Sequence, residues 1–65
     1  MKVREVLKIL AQDGWVLVRQ RSSHRQFQHA TKAGTVTVAG KPGEDQHPKT
    51  LSSILRQAQL ADAEE

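Results

Sequence analysis

Between Gly14 and Phe27 the chain gathers its only Trp, its only Phe, His24 and three arginines, Arg19, Arg21 and Arg25. The chemistry that this set suits is at a phosphodiester. A guanidinium meets phosphate oxygens with a fork of N–H donors, and an imidazole takes or gives a proton near neutral pH. RNA carries its own nucleophile, the 2′-hydroxyl, so its cleavage needs a base rather than a metal. His24 is therefore the candidate acid/base group, and Arg19, Arg21 and Arg25 are candidate phosphate contacts.

Four other constellations are weaker. His24 and His29 are five residues apart on one expected strand, so they point to opposite faces and cannot chelate a metal together. Glu44-Asp45 is the one carboxylate pair of the body, and adjacent acids in a Gly/Pro-rich loop are ordinarily solvated. Ser23 and His24 diverge as neighbours on a strand, and no acid in the sequence is placed to orient the histidine, so a serine triad is a poor reading. Gly40-Lys41-Pro42-Gly43 lacks the spacing of a phosphate loop. No metal or cofactor is expected.

The elements that position the basic stretch follow from the apolar pattern. Val3, Val6, Leu7 and Leu10 form an amphipathic stripe that predicts a helix over residues 2–13, ended by Gly14. Trp15 to Gln20 is rich in β-branched and aromatic residues and predicts a strand, with Trp15 and Leu17 facing the core. Residues 21–23 are a short polar turn. Residues 24–29 predict a second strand, with Arg25, Phe27 and His29 on one face and His24, Gln26 and Gln28 on the other. Thr31-Lys32-Ala33-Gly34 is a hairpin turn, and Thr35 to Ala39 a third strand with Val36 and Val38 inward.

Residues 40–49 hold both prolines and two of the four glycines and predict a loop. Thr50 is the expected N-cap of a second helix striped by Leu51, Ile54, Leu55 and Ala58, with Leu60 closing its last turn. Residues 61–65 are expected to fray. The predicted fold class is α+β, a single domain in two layers of order α-β-β-β-α, with both helices on one face of a three-stranded antiparallel sheet.

Size and charge fit that outline. At 65 residues the chain is one small domain with a thin core, and its lack of cysteines rules out a disulfide or Cys-based zinc scaffold. The longest apolar run, Trp15 to Val18, is far too short to span a bilayer, and there is no signal-like start, so a soluble cytoplasmic protein is expected. Net charge is +3, yet Asp62, Glu64 and Glu65 hold three of the seven acids. The first 61 residues set ten basic against four acidic side chains, a balance of +6 that favours a polyanionic partner.

Over residues 2 to about 60 the sequence resembles the HicA mRNA interferase toxins, also called YcfA-like proteins. The resemblance rests on the order and spacing of Gly14-Trp15, Arg19, Ser23-His24 with Phe27, and Val36-Thr37-Val38 before the Gly/Pro loop. It continues through Thr50-Leu51 into Ser53-Ile54-Leu55-Arg56-Gln57-Ala58. It implies a double-stranded-RNA-binding-domain-like fold and the toxin of a type II toxin–antitoxin system. The expected activity is metal-independent endonucleolytic cleavage of mRNA, restrained by a HicB-like antitoxin. The family's catalytic histidine maps onto His24.

Two positions depart from the family pattern. Ser22 replaces the glycine before Ser-His, and Lys41, a further candidate RNA contact, stands where many members have a histidine. The competing readings are a non-catalytic RNA-binding or protein-binding module on the same fold, and a pure interaction protein that docks through the wet sheet face.

Overall fold

The computed structural model describes residues 1–60; the expected fraying of residues 61–65 lies outside the described residues. The elements run α1 (Val3–Gln12), β1 (Trp15–Arg21), β2 (His24–His29), β3 (Val36–Val38) and α2 (Pro48–Gln57). The strands form one antiparallel sheet in the order β1-β2-β3. No helix among the described residues is long and apolar enough to cross a membrane.

Helix α1 buries Val3, Val6 and Leu10, three members of its predicted stripe. Its first amide donors have no partner within the helix. The Val3 and Arg4 N–H groups are met instead by the carbonyls of Glu44 (2.8 Å) and Pro42 (3.1 Å), so the Gly/Pro loop caps the helix. Gly14 follows the helix at φ +101°, and a Cβ there would come within 2.9 Å of the His29 ring. Both backbone conformation and space therefore demand glycine at this corner.

Trp15, Phe27, Val36 and Val38 are buried with Val3, Val6 and Leu10 of α1, Ile54 of α2, and Ala58. The two helices thus share one face of the sheet. Leu17 departs from expectation: it pairs with Phe27 across the ladder, yet stays 45% exposed. It lies on the edge strand, and the helical side chains gather over Trp15 and the β2–β3 side, which leaves Leu17 at the rim.

The start of α2 is a second correction. The helix begins at Pro48, not after Thr50, and its N-cap is His47, whose Nδ1 accepts the Lys49 N–H at 3.1 Å. Proline at the first helical position has φ preset and gives up no helical hydrogen bond, so the helix gains three residues, 48–50. Its far end closes on Gln59 at φ +59°, with the Leu60 N–H bonded to the Leu55 carbonyl and Gln59 N–H to that of Arg56. These two bonds are a Schellman cap, and they tuck Leu60 against the core.

The β2–β3 loop is fastened to both helices. Lys32 Nζ donates to Asp13 Oδ2 at 2.6 Å and to the Ala58 carbonyl at 3.2 Å. The Lys32 hydrogen bond is the main reason that the Asp13 carboxyl lies below its ordinary pKa.

Candidate functional site

Strand β2 alternates strictly, so His24, Gln26 and Gln28 face away from the helices while Phe27 is buried. Strand β1 does not. Trp15 pairs with His29 and Leu17 with Phe27, but Arg19 then pairs with Gln26, which leaves Val18 as an extra residue in a β-bulge. Uninterrupted alternation from Trp15 would send Arg19 and Arg21 to the helix side. The bulge reverses the parity, and both arginines come onto the outer face opposite Gln26 and His24.

The result is a concave site of about 290 Å³ on the outer face, lined by Arg19, Arg21, His24 and Gln26. All four side chains are exposed. Two permanent cations, an imidazole and an amide converge there without a carboxylate. Among the described residues neither arginine is held in a salt bridge, and no hydrogen bond holds the His24 ring. The surface thus presents anion-binding donors and a proton carrier to whatever occupies it.

His24 stands at the hairpin tip, where Arg21 and His24 pair across the two-residue turn Ser22-Ser23. Ser22 takes φ +55°, the left-handed region in which glycine is at ease and a serine is strained by about 1 kcal/mol. The serine at this position therefore keeps the turn at a cost in stability.

Of the residues singled out from the sequence, His24, Arg19 and Arg21 are brought together. Arg25 is not among them: it shares a face with Phe27, and its guanidinium donates to the carbonyls of Ser23 (3.3 Å) and Gly40 (2.9 Å). Lys41 is exposed on the loop after β3 and does not line the concave site. Gln26 does line it, and sequence reasoning passed over it, although the period-2 pattern already set it beside His24.

The remaining histidines have structural partners. His47 caps α2, as described above. His29 accepts the N–H groups of Thr31 (3.0 Å) and Lys32 (3.2 Å) at Nδ1, which leaves Nε2 as the donor to the Asp13 carbonyl at 2.6 Å. Among the described residues, no three His, Cys, Asp or Glu side chains gather as metal ligands.

The family model that matches the chain, over residues 3–60, is described as the HicA toxin of bacterial toxin–antitoxin systems. The match takes in both helices and all three strands. No curated protein matches the chain.

Proposed function

Since the chain belongs to the HicA toxin family of bacterial toxin–antitoxin systems, we propose that it is an endoribonuclease that cleaves mRNA at the outer sheet face, with His24 as general acid/base. The observation that carries this reading is the bulge at Val18, which brings Arg19 and Arg21 to the same side of the sheet as His24. Without that reversal the cations and the imidazole would lie on opposite faces.

The chemistry follows from the groups present. Arg19 and Arg21 grip a phosphate, and His24 takes the proton of the adjacent 2′-hydroxyl. The 2′-oxygen then attacks phosphorus, the P–O5′ bond breaks, and the 5′-oxygen leaves with a proton from water, giving a 2′,3′-cyclic phosphate and a 5′-hydroxyl. The guanidinium groups hold the negative charge that builds on the nonbridging oxygens. No metal is required, because the nucleophile belongs to the substrate. Lys41, on the exposed loop, contributes to the basic field along the RNA rather than to the reacting phosphate.

Membership in the family implies an antitoxin partner; we take it to be HicB-like and the site of action to be the cytoplasm. One observation favours the second reading, an RNA-binding or protein-binding module: nothing among the described residues orients the His24 ring. Induced expression of the wild type beside His24→Ala, with growth followed and mRNA 5′ ends mapped, separates the two. New cleavage ends and growth arrest for the wild type alone establish the nuclease. Equal arrest by both forms, or no new ends for either, rejects His24 catalysis and leaves the binding module.

A further inference from the structure

Resting on the ribonuclease reading, we infer that Arg25 is a positioning residue that fixes the backbone of His24, and that it does not bind phosphate. The pairing of β2 with β3 stops at Arg25, whose partner is Val38; His24, one residue on, has β1 as its only ladder neighbour. The catalytic residue therefore sits where the sheet has run out on one side. Arg25 fills that gap. Its guanidinium, on the face opposite His24, bonds the Ser23 carbonyl, which belongs to the very peptide unit that supplies the His24 N–H, and it bonds Gly40 just past the end of β3.

The Gly40 anchor is itself fixed. Gly40 holds φ +113°, and a Cβ there would meet Glu44 Oε1 at 3.2 Å and a Val3 methyl at 3.3 Å. Glu44 Oε1 accepts the Lys41 N–H at 3.0 Å, and the Pro42 and Glu44 carbonyls cap α1. A continuous set of hydrogen bonds thus runs from the N-terminus of α1 through the loop and Arg25 to the His24 peptide. Arg25 has no carboxylate partner among the described residues, so the protein partners of this half-buried cation are two backbone carbonyls, both bound through Nη1. With its stem on the Phe27 face of β2 and Nη1 bound to two carbonyls, it does not line the cleft where RNA would lie. A shift of about 1 Å in a catalytic group can cost 100-fold in rate, which is the scale on which such a clamp acts.

The test compares wild type, Arg25→Gln and Arg25→Lys on a single-stranded RNA under single-turnover conditions, below the unfolding temperature of each. Both variants are expected to lose roughly 10- to 100-fold in the cleavage step with half-saturation within about twofold, because Lys keeps the charge but its nitrogen ends one bond short of the Nη1 that holds both carbonyls. Adding Arg25→Gln to His24→Ala should lower the rate no further, since Arg25 acts through His24. Weakened RNA binding with a salt slope reduced by about 0.7, restored by Arg25→Lys, would overturn the inference and make Arg25 a phosphate contact.

A measurement on the wild type covers the case in which neither variant folds. Titrated with a 2′-O-methyl oligonucleotide, whose blocked oxygen cannot attack, the Arg19 and Arg21 guanidinium NMR signals should move and those of Arg25 should not. Movement of the Arg25 signals overturns the inference. Absence of cleavage by the wild type removes the ribonuclease reading first, and the positioning role with it; cleavage by the wild type with Arg25→Gln unimpaired removes the positioning role alone.

Discussion

His24 and His29 stand at the two ends of one six-residue strand, and almost everything about their surroundings differs. At His29 both ring nitrogens have partners, the side chain is 11% exposed, and the ring meets Trp15 edge-on with centroids 5.1 Å apart. At His24 the ring is exposed, has no hydrogen-bond partner among the described residues, and faces two unpaired arginines across a concave surface. One histidine is spent on structure, and the other is left with its proton chemistry unused by the fold. Residue type alone does not separate them; strand parity and the neighbours that each face supplies do.

The largest expected effect lies at the open end. His24→Ala should lower RNA cleavage by about 10²- to 10⁴-fold, the range that a positioned acid/base group contributes, while the unfolding midpoint moves little. Rates on a defined RNA and a thermal melt of the same samples check both halves. The reverse is expected at the closed end. His29→Ala leaves the Thr31 and Lys32 amides and the Asp13 carbonyl without their partner and opens space beside Trp15, for a loss of about 2–3 kcal/mol read by urea unfolding. Its cleavage rate should stay near that of the wild type wherever it remains folded. A fall in rate of equal size for the two variants would erase the distinction between the two ends.

Much of this contrast was legible in the sequence. The stripes Val3, Val6, Leu10 and Ile54, Ala58 placed the buried faces of both helices, and period 2 on β2 correctly set His24 and Gln26 opposite Phe27. The bulge was not legible. Val16-Leu17-Val18 is apolar throughout, so no alternation exists there whose break would signal an extra residue, and the face of Arg19 and Arg21 stayed open until the register was known. Thr50 misled for a similar reason: its side chain is the commoner cap, and only the placement of Pro48 gives His47 the role. The partner of Arg25 lies 15 residues away at Gly40, beyond the reach of any local pattern.

Between the two ends the Ser22-Ser23 turn offers a smaller and oppositely signed effect. Ser22→Gly relieves the positive φ and should stabilise the protein by about 1 kcal/mol, raising the melting temperature by roughly 4–8 °C. If the turn serves only to hold His24, cleavage is retained at the wild-type level or above. A stabilised variant with lost activity would mean that the strained serine itself sets the geometry of the site.

The smallest effect tests whether the closed end is also an electrostatic joint. Asp13 has its carboxyl pKa lowered below 3.8, chiefly by the Lys32 hydrogen bond, with burial opposing it and the Lys32 charge adding to it. A depressed carboxyl contributes stability that is fully present above its unfolded value and is lost as pH falls through the lower folded value. The wild type should therefore lose this increment as the pH falls below about 4, with the Lys32 anchor to Ala58 left to act alone. Asp13→Asn should be less stable than the wild type at pH 7, and the gap should narrow as the pH is lowered, because the wild type then surrenders the same charge. Urea midpoints for the two forms across that window measure it. Since the Asp13–Lys32 pair is partly exposed, the gap should also shrink with added salt, whereas the His29 hydrogen bonds at the same corner should not respond.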